Sequence, residues 1–378
     1  MTEKRDHPSF TKSLFNGFFL DELVFPYPLP AKEEEENLNL IRETINKFCE
    51  SYVDSPQFDR DEKFPEDVIN GIKELGLFGL IIPLEYGGYG LSTTAYVKIL
   101  EEVAKFDGSM ALIIGAHQSI GLKGLLLYGT EEQKQKYLPK LATGEMIAAF
   151  ALTEPSAGSD AAGIKTRAIR NDEKGIYVLN GTKMWITNGG IADFFTIFAK
   201  EEVEIPGEGK KEKISAFMVT REMGVKSGKK EEKLGIRATS TAELILENVE
   251  VPIENLLGER GKGFKVAMEI LNTGRVGLAG GNIGGSKTAL KYVLSHVKER
   301  HQFGRPLISF EIIREKLSQI ALRIFVAESM VYLTTSLIDK DNIDYSLETA
   351  MCKVYATDTL WRTSNDCLQM AGGIGYSR

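Results

Sequence analysis

The sequence predicts an α+β fold built as helices, then strands, then helices. Apolar residues recur at three- and four-residue steps up to about residue 148. Between 149 and 260 they alternate, or run continuously with β-branched and aromatic side chains. From 261 onward long amphipathic helical patterns return. The period changes divide the chain into an extension over 1–35, a helical domain over 36–148, a β domain over 149–260 and a helical domain over 261–378.

In the first helical part, Leu38, Ile41, Ile45, Phe48 and Tyr52 form one apolar stripe. Val68, Ile69, Ile72 and Leu75 form a second, which stops at the Gly/Pro cluster ending in Pro83. The stretch EYGGYGLS is a turn, followed by a helix from Thr93. MALIIGAHQSIGLKGLLLYG is apolar on nearly all faces and predicts a buried helix pair, and Thr130 is placed to cap the helix that follows. In the β part, GIYVLNGTKMWITNG predicts a hairpin turning at Asn180-Gly181. ADFFTIFAK, KISAFMVT and TAELILENVEVP predict strands, and EEVEIPGEGKKEK a solvated loop between two of them.

Composition narrows the function classes. Hydrophobic residues are 43% and charged residues 26%, ordinary for a globular enzyme. A net charge of −7 without a block of basic residues argues against a nucleic-acid partner. Cys49, Cys352 and Cys367 are too scattered for a disulfide framework or a metal site, so free thiols and no metal are expected. The N-terminal residues have neither an apolar signal core nor an acid-poor transit composition. A bacterial cytoplasm is therefore the expected location, with a processed mitochondrial form as the alternative.

Two stretches carry the chemistry. ALTEPSAGSDAAG at 151–163 and TKMWITNGG at 182–190 set hydroxyls among glycines and alanines. Neither shows a nucleophile beside a base. Small residues let the backbone approach closely, which suits a bulky bound molecule. Glu154 and Asp160 are expected to stabilise the turn through local amides rather than to catalyse. His117, alone in an apolar run, reads as structural.

These stretches resemble the fingerprints of the acyl-CoA dehydrogenase family: ALTEPSAGSDAAG the first, QMAGGIGYSR at 369–378 the opening of the second. WITNGG, VPIENLLGE, ILNTGR and RHQFGRPL follow in the family's order. VFPYP, IIGAHQSIG, YLPKL and GFKVAMEILNTGR look like its very-long-chain branch. The resemblance implies an N-terminal helical domain, a middle β domain and a C-terminal helical bundle, here truncated. It implies FAD as cofactor and an acyl-CoA substrate oxidised to the trans-2-enoyl-CoA in fatty-acid β-oxidation, with electrons passed to an electron-transfer flavoprotein. It also implies a homodimer, and peripheral membrane association through a region absent from these residues. Two other functions share the scaffold: a non-catalytic assembly or binding protein, and a flavin acyl-CoA oxidase.

Residue by residue, the resemblance assigns Phe150, Leu152, Thr153, Gly158 and Ser159 to the flavin, with Ser159 also meeting the substrate. Trp185, Ile186 and Thr187 flank the flavin ring. Arg300, Gln302 and Phe303 match the segment reaching the neighbouring subunit's FAD, joined by Gln369, Gly372 and Gly373. Asn272 and Arg275 match contacts to the CoA nucleotide, and Gly108, Ser109 and Ala111 the floor of the acyl cavity. The family's catalytic glutamate is expected beyond Arg378, and its alternative position is Gly274 here, so no catalytic residue is assigned. Glu311 and Arg314 stand where the family often has Gln. The expectation is a partial enzyme that binds FAD poorly.

Overall fold

The computed structural model describes residues 9–30, 32–340 and 342–377. Helices α1 (Phe10–Phe15), α2 (Lys32–Tyr52), α3 (Ser55–Asp61), α4 (Glu66–Glu74), α5 (Thr93–Ala104), α6 (Gly108–Gly115), α7 (Lys123–Tyr128) and α8 (Glu131–Thr143) come first. Strands β1 (Ala148–Ala151), β2 (Arg167–Asn171), β3 (Ile176–Ile186), β4 (Phe194–Ile205), β5 (Gly209–Thr220), β6 (Lys226–Lys230), β7 (Ala242–Pro252) and β8 (Leu256–Leu257) follow. Helix α9 (Gly263–Glu299), a short pair β9 (His301–Gln302) and β10 (Arg305–Pro306), and helices α10 (Glu311–Ile338), α11 (Ser346–Ala371) and α12 (Gly373–Tyr376) complete the order.

Contacts group the chain into two units. One comprises residues up to Val53, Ser92–Ala111 and those from Arg275 on; the other comprises Asp54–Leu91 and Leu112–Gly274. In the first unit α10 packs on α11 and α5, and α2 on α5. Lys287 Nζ lies 2.7 Å from both Glu101 and Glu328, tying α9, α5 and α10 together by charge. Ser9 Oγ and the Thr11 amide both donate to the buried Glu348, which holds the start of the described chain on α11.

The second unit is built on an eight-stranded sheet in the order β6-β7-β3-β2-β4-β5-β8, with β1 beside β4. ADFFTIFAK shows why a strand can be apolar throughout. Phe194 and Phe198 point into a core with Leu122, Tyr137, Leu141 and Ile270, while Phe195 and Ile197 point to the opposite face with Tyr177, Phe217 and Val251. Thr130 caps α8 as expected, within a capping box completed by Gln133.

Two expectations are corrected. Asn180-Gly181 is no hairpin turn: β3 runs straight through it, with a bulge between Leu179 and Gly181. A Cβ at Gly181 would lie 2.4 Å from Thr166 Oγ1 and 2.8 Å from its Cα. The glycine is there for close strand approach rather than chain reversal. The turn of this hairpin lies earlier, between β2 and β3. Likewise EEVEIPGEGKKEK is no loop but the far half of the β4–β5 hairpin, with Glu201 opposite Lys213, Val203 opposite Lys211 and Glu204 opposite Lys210. Cross-strand charge pairing makes a polar ribbon a viable strand pair. Its base is fastened by Arg260, whose Nε lies 2.7 Å from the buried Glu201.

Residues 108–128 are helical, with one π-type turn over Ala116–Gly121 between α6 and α7. This run and α10 are long and apolar enough to cross a membrane by length and composition alone, and more than half of the first is buried inside the protein. His117, on the π turn, is fully buried, with Nδ1 accepting from the Ala148 amide at 2.8 Å and Nε2 facing the Leu141 carbonyl at 3.1 Å. It is a structural pin between α8 and β1. Burial drives its pKa down to about 3, against the opposing pull of its carbonyl partners. The folded value lies below the ordinary 6.5, so the unfolded chain holds the proton more tightly. Its stability contribution is complete above about 6.5 and is lost as pH falls toward 3. Replacing His117 with Gln is expected to flatten the pH dependence of unfolding free energy between pH 4 and 6 by up to one proton, about 1.4 kcal/mol per pH unit. Urea titrations across that range measure it.

Candidate functional site

The two small-residue stretches meet in the second unit. Phe150, Leu152, Thr153, Gly158, Ser159, Trp185, Ile186 and Thr187 all line one open cleft of about 460 Å³, a volume typical of small-molecule sites. Phe150 is steadied by ring contact with Phe198 at 5.0 Å. Leu152 and Ile186 are almost wholly buried, their side chains belonging to the two cores. A Cβ at Gly158 would meet nothing within 4 Å, so this chain's own packing does not require the glycine.

Local backbone distortion shapes one wall. The β3–β7 register slips between Lys183 and Ile186, a bulge that re-aims side chains. Trp185 has φ 56° and Asn188 φ 64°, both left-handed. Asn188 is fully buried and donates to the Ile113 carbonyl at 3.2 Å and the Ala148 carbonyl at 3.4 Å, which fixes the end of the bulge. Trp185 receives no such return: its side chain stays 57% exposed. A left-handed tryptophan costs about 1–2 kcal/mol and is a functional signal when its own chain leaves it uncovered.

Beneath the cleft lies a buried ion pair. Lys183 Nζ is 2.7 Å from Glu154 Oε1 and 3.1 Å from the Leu152 carbonyl. Glu154 also accepts from the amides of Lys165 at 2.5 Å and Thr166 at 3.0 Å. Burial pushes the Glu154 carboxyl up, but the bonds and charge of Lys183 with these amides bring it below its usual value. Burial likewise pulls the Lys183 ammonium down, to about 8, against the opposing pull of Glu154. Both are ionised at neutral pH. Glu154 thus holds amides 11 and 12 residues further along the chain, where the sequence pointed to amides of its own turn. Asp160 lies on the cleft lining, its carbonyl accepting from Gly163 at 3.0 Å.

A second pocket, of about 690 Å³, lies in the first unit and gathers Arg300, Gln302, Gly372 and Gly373 with His296 and Ser377. Gly372 has φ 63° at the end of α11, a conformation open to glycine. Phe303 and Gln369 are not on that lining. Phe303 stands at the β9–β10 turn with φ 52°, followed by Gly304 at φ 76°, and is 93% exposed. Asn272 follows the cleft-lining Leu271 on α9 but is not itself on the lining, and Arg275 lies three residues further on, in the other unit. Phe264, Met268 and Leu271 form an apolar wall that the motif reading missed. Their i, i+4, i+7 spacing was visible in the sequence as one helix face.

Flavin needs apolar faces for its rings and hydrogen-bond partners for its polar edge. The cleft offers the exposed Trp185 indole and the Phe264–Met268–Leu271 wall, with hydroxyls from Thr153, Ser159 and Thr187. The residues present fit that group. Among the described residues no cluster of His, Cys, Asp or Glu could hold a metal ion.

Comparison with known proteins agrees in kind. Family models for the acyl-CoA dehydrogenase N-terminal, middle and C-terminal domains match residues 35–145, 149–249 and 261–378. The human "Very long-chain specific acyl-CoA dehydrogenase, mitochondrial" is 44% identical over 99% of this chain, which spans 58% of that relative's length. Among solved structures, butyryl-CoA dehydrogenase from Megasphaera elsdenii superposes with TM-score 0.84 at 35% identity, covering 93% of this chain and 90% of the other. An acyl-CoA dehydrogenase complexed with FAD from Bacillus anthracis gives TM-score 0.82 at 37% identity, covering 95% and 63%.

Replacing Trp185 with Gly relieves the left-handed strain and removes little buried area, while glycine's extra unfolded-state freedom costs about 0.5–1 kcal/mol. The variant is expected to unfold in urea within about 1 kcal/mol of the parent.

Proposed function

The chain belongs to the acyl-CoA dehydrogenase family, and on that premise we propose that it carries the FAD cleft of an enzyme oxidising long- or very-long-chain acyl-CoA to the trans-2-enoyl-CoA. The observation that carries this reading is the convergence of both small-residue stretches on one cleft, with an uncovered left-handed tryptophan on its wall. Held by the cleft around Thr153, Trp185 and Thr187, FAD would supply the hydride acceptor that oxidation at the substrate's β-carbon requires. Trp185 and the α9 wall cover apolar ring surface and keep water from it. Thr153, Ser159 and Thr187 supply hydroxyls to polar edges of the bound groups. No residue of this cleft is assigned to take the α-proton.

The second pocket supports a site shared between subunits. Arg300 suits a pyrophosphate through its planar fork, and Gly372 and Gly373 leave room beside it. Phe303, strained and uncovered within its own chain, is a natural contact for a partner. A homodimer and an electron-transfer flavoprotein as acceptor complete the reading. The greater identity to the very-long-chain-specific relatives than to the butyryl enzyme supports the long-chain preference.

One experiment tests the whole reading: the flavin spectrum of the full-length protein, with the residues expected to supply the base beyond Arg378, under anaerobic palmitoyl-CoA and butyryl-CoA. Bleaching by palmitoyl-CoA alone, reversed by an electron-transfer flavoprotein and not by air, is the expected result. Bleaching reversed by air would make it an oxidase. FAD binding without bleaching by either thioester would leave a binding protein.

A further inference from the structure

We propose that Lys183 is a positioning residue for the cofactor cleft, holding the Leu152 carbonyl so that the Thr153 N–H faces the bound group. The inference rests on the flavin reading above. Its basis is geometric. The Lys183 ammonium, fully buried, donates to the Leu152 carbonyl at 3.1 Å. Leu152 O and Thr153 N–H belong to one planar trans peptide and point in opposite directions. Holding the carbonyl toward Lys183 therefore turns the N–H away from it, on a residue that lines the cleft. The next peptide is fixed in the same way, because the Thr153 carbonyl accepts from the Met184 amide at 2.9 Å. The N–H of that same peptide, on Glu154, donates to the Ala157 carbonyl at 3.0 Å.

Glu154 is the counter-ion that lets the ammonium stay there. A buried ion pair is seldom worth more than a well-packed apolar substitute, so stability alone is a weak reason for one at this place. This pair joins the two stretches that form the cleft, from beneath. A neutral side chain at 183 would fill the space but offer nothing to orient the Leu152 carbonyl. A fixed N–H at an acceptor edge of flavin favours the reduced, more electron-rich state, and losing it makes reduction harder.

Lys183→Met alone would leave Glu154 buried without its partner and risks misfolding. The Glu154→Gln/Lys183→Met double variant removes both charges and serves as the main test, beside Lys183→Met and the parent. Each protein is purified with full-length chain, its fold is checked by circular dichroism, and its FAD dissociation constant and flavin midpoint potential are measured. The proposal expects folded double variant to bind FAD about tenfold more weakly, the worth of one hydrogen bond, and to show a more negative midpoint potential. A lower melting temperature with parent-like FAD affinity and potential would assign the pair to stability alone and overturn the proposal. A parent that binds no FAD would overturn the flavin reading itself, a failure distinct from the first because it appears before any substitution.

Discussion

The second unit depends on how β3 ends. A straight continuation of its ladder beyond Lys183 would keep the next side chains in the regular alternation of the sheet. The slip in register before Ile186 breaks that alternation, leaving Ile186 in the core and Trp185 over open space. Such a distortion persists only if its surroundings over-determine it. They do so from both sides, through the Asn188 amide bonded to two carbonyls and through Lys183 bonded beneath to Glu154 and Leu152.

Both aromatic residues with positive φ named above are poorly covered by their own chain, Trp185 on the cleft and Phe303 on the hairpin tip. Elsewhere the large aromatics Phe194, Phe195, Phe198 and Phe217 are wholly buried in ordinary strands. Backbone strain and exposure coincide at these two positions, and each falls in a segment matched to FAD by sequence. That coincidence ties the functional reading to physical cost rather than to motif similarity alone.

Much of this was legible in the sequence because its signals were local. Helical stripes, the Thr130 cap and the two small-residue stretches each depend on residues close in the chain. The errors came where a local signal met a tertiary requirement. Asn180-Gly181 has the composition of a tight turn, yet Thr166 on the neighbouring strand is what demands the glycine. The charged stretch 201–213 has the composition of a loop, yet its signs pair across two strands. Lys183 was invisible as a site residue because nothing adjacent marks it; only folding sets it against Glu154, 29 positions earlier.

The charged ribbon has a consequence for the molecule in a crowded solution. Among the described residues, β4 beyond Lys200 pairs with β5 alone, so both outer rims of this arm carry main-chain groups that another molecule's strand could join. Acids gather on one strand, at Glu201, Glu202 and Glu204, and lysines on the other, at Lys210, Lys211 and Lys213, with Glu202 facing Glu212 across the pair. A second copy of β4 against the acidic rim would set acid against acid, while lysines at 210, 211 and 213 keep the other rim hydrated. Charge on both rims thus keeps the arm hydrated and sets each rim against its own copy, at the place where the sheet is open to a further strand.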